Sequence, residues 1–166
     1  MKPVTLDVFE RSMIRHKATL KSVNIHSGRY HDRNCGPKNK SPWERDLEGF
    51  AGEYVVAKVL NVFSSFNCDI DRFDAIGRTG ATIDVKTTDN LSGNLLVPLG
   101  KAKDPCDVYV LVVGKFPTYE VKGYARKEEV FKEENIQDFG YGLTYVVRRE
   151  DLHEMRIQTG PLKLNA

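Results

Sequence analysis

Glu53, Asp74, Asp84 and Lys86 are the residues of this chain whose types and order could do chemistry. Three carboxylates and one lysine can hold a divalent cation and a water beside a phosphodiester, which is the arrangement for hydrolysis by an activated water. Oxygen-only donors suit Mg²⁺, with Mn²⁺ as a substitute, because both are hard cations that keep several waters. No protein nucleophile is required. Lys86 would orient the water or offset charge on the phosphate; acting as a general base would require a pKa far below the usual value of about 10.4.

These residues need elements to hold them. From Leu47 to Phe63 the apolar residues recur at helical spacing, and Glu53 has Gly49, Phe50, Val56 and Ala57 as its neighbours one turn away. A carboxylate on such a stripe is costly to bury without a cation or hydrogen bonds, unless it reaches water along the helix surface. Strand-like segments at Cys68 to Ile76 and Ala81 to Thr87 flank Gly77-Arg78-Thr79-Gly80, the composition of a hairpin turn. On the second strand Asp84 and Lys86 share a face, about 7 Å apart at Cα. Alone they make an ordinary charge pair contributing on the order of half a kcal/mol.

The turn chooses the third carboxylate. With Gly80 left-handed, Gly77 pairs with Ala81 and Asp74 falls opposite Asp84, whereas Asp69 and Asp71 have the opposite parity. Two opposed carboxylates repel unless a cation lies between them. The expected geometry is Asp74, Asp84 and Lys86 on one hairpin face with Glu53 over it; a different register would make Asp71 the candidate.

Elsewhere, Thr5 to Val23 reads as an amphipathic helix with Thr5 as N-cap and Leu6, Phe9, Met13 and Leu20 as its apolar positions. Asn24 to Glu44, with two glycines and two prolines, reads as a long loop. Asp107 to Gly114 is a β-branched and aromatic run expected at the centre of a sheet. Thr88 to Cys106 is long enough for a crossover but poor in helix signals. Tyr119 to Ala125 and Leu143 to Arg148 suggest strands, and Lys127 to Glu134 a short helix. The order implies a mixed α/β sheet with helices on its faces.

At 166 residues and 40% hydrophobic content, one domain with an ordinary core is expected. Its parts would be a basic N-terminal helix and loop over 1–46, a catalytic core over 47–125 and a C-terminal extension over 126–166. No apolar run is long enough to span a membrane and no secretory h-region is legible, so a soluble, cytoplasmic protein with no membrane partner is expected. Cys35, Cys68 and Cys106 are odd in number and widely spaced, which speaks against a disulfide framework.

A net charge of +2 is too small to argue for nucleic acid, but its distribution is uneven. Arg11, Arg15, Lys17, Lys21, Arg29, Arg33, Lys38 and Lys40 crowd the first quarter of the chain and leave the remainder net acidic. They are the candidate phosphate contacts, against the reading of a solvated helix face followed by a polar loop.

Gly49-Phe50-Ala51-Gly52-Glu53-Tyr54-Val55-Val56-Ala57, then Phe73-Asp74, then Ile83-Asp84-Val85-Lys86-Thr87-Thr88, then the strand at 107–113, together resemble the PD-(D/E)XK nuclease superfamily, in particular its small phage and prokaryotic members. The resemblance covers roughly residues 47–125. It implies a restriction-endonuclease-like αβββαβ core and a Mg²⁺ site from Asp74, Asp84 and the Val85 carbonyl. It further implies Glu53 ligating directly or through water, and Lys86 as the catalytic lysine. Phe73 stands where the motif has proline, which leaves Asp71 in play.

The expected function is metal-dependent hydrolysis of DNA, including structure-selective cutting of branched DNA, with RNA left open. Concerted cutting of both strands would need two sites, so a homodimer is a further partner to consider. The alternative is a non-cleaving nucleic-acid-binding or regulatory protein on the same fold, although a binding module gains nothing from clustered carboxylates. His26, His31 and Cys35, with His16, tempt a zinc reading, but their spacing fits no common structural zinc signature.

Overall fold

A computed structural model describes residues 1–26, 40–62, 73–140 and 142–155, with the side chains of 24–26 excepted. The protein is α/β. A mixed five-stranded sheet is made by β1 (Val4–Thr5), β2 (Ala75–Ile76), β3 (Thr82–Thr88), β5 (Val108–Lys115) and β6 (Thr118–Arg126), in the spatial order β1-β6-β5-β3-β2. Only β3 and β5 run parallel, with Asp84 beside Tyr109 and Lys86 beside Leu111. The expected central position of β5 is observed, and its residues 109–114 are all buried.

The two faces are covered differently. Helices α1 (Val8–His26) and α2 (Pro42–Leu60) lie on one, where Ile14, Ala18, Val55 and Val56 join Ile83, Val85, Val110 and Val112 in one core. Among the described residues no long helix covers the other face. A second sheet of β4 (Leu95–Pro98), β8 (Leu143–Val147) and β7 (Ile136–Asp138) covers it with the four-residue α3 (Lys127–Val130), around Tyr109, Leu111, Val113, Leu95 and Val97. The connection from β3 to β5 therefore holds β4 and a 3-10 turn at Leu99–Lys103, where the αβββαβ order places an α-helix. Gly93, Pro98, Gly100 and Pro105 account for this, since each weakens or interrupts a helix.

Both long helices start differently from the sequence expectation. Thr5 is a strand residue paired with Thr118, and Asp7 caps α1: its Oδ1 accepts from Phe9 N–H (2.8 Å) and Glu10 N–H (2.9 Å), while Glu10 accepts from Asp7 N–H. Ser41 and Glu44 form the same reciprocal box at the start of α2, with Pro42 in the first turn, so the helix takes in residues expected to be loop. Phe9, Met13 and Leu20 are exposed, and α1 instead turns Glu10, Ile14, Lys17 and Ala18 inward. The reason is electrostatic as well as apolar: Glu10 meets Lys58 (2.6 Å) and Lys17 meets Glu53 (3.3 Å), both on α2.

Candidate active site

The hairpin turn fixes the register of the site. Gly80 has φ +86° and Gly77 N–H donates to Ala81 O, which sets Ala75 opposite Ile83 and Ile76 opposite Thr82. Extended by one pair, that register puts Asp74 opposite Asp84. Residues 63–72, including Cys68, Asp69 and Asp71, lie outside the described residues.

The side chains do not all share one face, however. Ile83 and Val85 pack into the core beneath α2, so alternation turns Asp84 and Lys86 to the opposite side of β3. Asp74 departs from its expected direction at the strand edge: its N–H donates to Ile83 O (2.8 Å) and its Oδ2 accepts from Val85 N–H (2.6 Å). Glu53 comes from the helix layer. The carboxylates thus approach β3 from its two sides and its edge, in place of a single face with Glu53 above it.

Gly52 brings α2 close enough for this. A Cβ built on it would lie 1.9 Å from Thr87 Oγ1 and 3.1 Å from Thr87 Cβ, so only glycine lets the helix meet β3 at this point. The next residue, Glu53, is thereby brought within electrostatic reach of Asp74 and Asp84.

Asp84 is 2% exposed and is compensated by two lysines. Lys86 pairs with its Oδ1, and Lys101, from the 3-10 turn, reaches its Oδ2 at 2.5 Å. Lys101 was not legible as a site residue; the one hint is that a connection between parallel strands must pass over a sheet face, and Lys101 lies in that connection. Thr82 and Asp107 tie the starts of β3 and β5 together. Asp107 Oδ2 accepts from Thr82 N–H and Oγ1–H, both at 3.0 Å, and these bonds with Lys127 hold its carboxyl down at about 2.

The carboxylates feel one another. Burial first, then the charges of Glu53 and Asp84, push Asp74 up to about 7, against the opposing pull of the Val85 N–H and Lys86. Burial also raises Glu53, with Asp84 adding to it, although Lys17 and Lys21 pull the other way. Burial would lower Lys101, but the charge and hydrogen bond of Asp84 outweigh it and raise it. Cys106, pushed up to about 11 by burial and then by Asp84, stays a thiol and is no nucleophile at neutral pH.

The donor set matches a hard cation: oxygen atoms from Glu53, Asp74 and Asp84, one of which, Asp84 Oδ1, is buried with charge but no formed hydrogen bond as compensation. In the present arrangement ammonium groups take that compensating part. Among the described residues no three His, Cys, Asp or Glu side chains are grouped closely enough to hold a metal ion. Lys86 and Lys101 occupy the two Asp84 oxygens that a cation would need.

The basic arm divides. Lys17 is 8% exposed, lies 4.1 Å from the Phe50 ring centroid and is spent on Glu53, which corrects its reading as a phosphate contact. Lys21 pairs with Asp46 and Lys40 with Asp89. Arg11 Nε donates to Asp7 O, and Arg15 is exposed with its guanidinium 5.2 Å from the Phe116 ring centroid. Arg29, Arg33, Lys38, His31 and Cys35 lie outside the described residues, as does the side chain of His26. His153 pairs with Glu129 at 2.7 Å, far in sequence from these groups.

No known family model matches the chain, and no curated protein matches it significantly. Among the described residues no helix is long and apolar enough to cross a membrane.

Proposed function

We propose that this chain is a Mg²⁺-dependent nuclease that hydrolyses phosphodiester bonds in DNA, on a restriction-endonuclease-like core. The observation that carries the reading is that Glu53, Asp74 and Asp84 lie near enough at β3 for their charges to act on one another, with Lys86 on the same strand as Asp84. Clustering carboxylates in a buried place destabilises a fold, and a site for a cation accounts for it. A divalent cation bound there supplies Lewis acidity and makes a water acidic enough to deliver hydroxide near neutral pH.

The chain's own residues do the rest. Asp74, Asp84 and the Val85 carbonyl would offer the cation oxygens, and Glu53 would bind it directly or through a water. Asp74 is held in place by Val85 N–H, so its free oxygen has a defined direction. Lys86, freed from Asp84, faces the scissile phosphate and offsets the charge developing there. Mg²⁺ or Mn²⁺ should support cleavage of single-stranded, duplex, supercoiled or branched DNA that disappears in Lys86→Ala and Asp84→Asn. A wild-type protein that cuts none of these in either metal defeats the proposal.

One observation favours a second reading. Lys17 pairs with Glu53, and Lys86 and Lys101 both pair with Asp84, a compensation that a non-cleaving nucleic-acid-binding or regulatory protein on the same fold would also need. DNA or RNA binding that is indifferent to metal, without cleavage, would select it.

A further inference from the structure

Lys86 is two residues from Asp84 on the same strand, so their pairing follows from strand geometry. Lys101 is different. It comes from the β3–β5 connection and crosses to a carboxylate that already has a lysine, and its side chain is 36% exposed, with its long stem partly in solvent. Asp84 lies beside Asp74 and Glu53, so a second ammonium on its other oxygen offsets negative charge that a divalent cation would otherwise offset.

Resting on the nuclease reading, we propose that Lys101 is an internal counter-ion that occupies Asp84 Oδ2 in the metal-free protein and must leave it when a divalent cation binds. An ammonium and a divalent cation on one carboxylate oxygen would repel at contact distance in a poorly solvated site. Of the two lysines on Asp84, Lys101 yields the more readily, because its backbone lies on a separate turn and its side chain is the more exposed, so it can swing outward. The swing removes one positive charge from Asp84 as the cation arrives. It also turns a resting counter-ion into a contact for the phosphate backbone. Lys101 is thus a positioning residue for Asp84 before metal binding.

The test is Mn²⁺ binding by calorimetry to wild type, Lys101→Met and Lys101→Arg, with thermal melts of each in EDTA and in Mn²⁺. Lys101→Met should bind Mn²⁺ about fivefold or more tightly than wild type, the usual scale of a coupling between two ligands. It should also melt lower than wild type in EDTA, with the gap closing in Mn²⁺. Lys101→Arg, which retains the charge, should bind Mn²⁺ as wild type does. Unchanged or weaker Mn²⁺ binding by Lys101→Met, in a wild-type background that binds Mn²⁺ and cuts DNA, overturns this inference alone. A wild type that neither binds Mn²⁺ nor cuts overturns the nuclease reading with it. If Lys101→Met does not fold, Lys101→Gln takes its place and must show the same tightening.

Discussion

Substituting Gly52 by alanine tests the contact that sets α2 against β3. The added Cβ would sit 1.9 Å from Thr87 Oγ1, and rotating the threonine clears that contact but leaves Thr87 Cβ at 3.1 Å, tighter than ordinary van der Waals contact. The threonine must rotate its hydroxyl away, and the helix or the strand must then give by a few tenths of an ångström. Overpacking of this kind costs up to about 3 kcal/mol, and alanine's better helix propensity returns about 1 kcal/mol. A net loss of about 2 kcal/mol should lower the melting temperature by about 4–8 °C in a chain of this size. Thr87 supplies the control. Its Oγ1 is buried without a hydrogen-bond partner, so Thr87→Ala sacrifices no bond. In a double-mutant cycle followed by thermal denaturation, Gly52→Ala/Thr87→Ala should recover most of what Gly52→Ala loses. If Gly52→Ala melts at or above the wild-type temperature, or if the two substitutions simply add, the close approach does not position Glu53 in the way argued.

Asp74 gives a pH dependence. Its folded pKa of about 7 lies above the unfolded value of about 3.9, so the folded state binds more protons between them, and stability falls as pH rises through that window. Asp74→Asn keeps an oxygen for Val85 N–H and removes the charge; in EDTA it should be more stable than wild type at pH 8, with the advantage shrinking toward pH 4. Urea denaturation at the two pH values decides, and a less stable variant at pH 8 refutes the sign. For the basic arm, Arg11→Ala/Arg15→Ala should weaken DNA binding and reduce the slope of log affinity against log salt by up to about 2. An unchanged slope returns both arginines to a structural role. Deleting the whole arm would disturb the fold itself, because Leu6, Ile14 and Ala18 belong to the core.

The hairpin was legible because its information is local: Gly80 takes the left-handed turn that specifies the register, and the alternation of Ile83 and Val85 names the buried face. β5 was legible for the same reason, as an apolar run without polar interruption. The face of α1 was misread because periodicity counts apolar residues and ignores pairing across helices. Glu10 and Lys17 are inside since Lys58 and Glu53 meet them there, and their partners lie dozens of residues away. Lys101 escaped notice for an equivalent reason: its relation to Asp84 exists only once β3 and β5 are parallel neighbours. The direction of the Asp74 carboxylate, toward Val85 N–H, depends on where β2 stops, which no residue pattern announces.

The outer edge of β6 has a consequence for association between molecules. An uncovered strand of nine residues would be a template for another chain to extend the sheet. Here Val4 and Thr5 pair with Tyr119 and Thr118 at one end, and His153 exchanges backbone hydrogen bonds with Tyr124 near the other. Segments close to opposite ends of the sequence thus guard the same edge, while among the described residues the strand farthest from it is the two-residue β2. Removing residues 1–5 should therefore show itself first as aggregation, before any loss of the site.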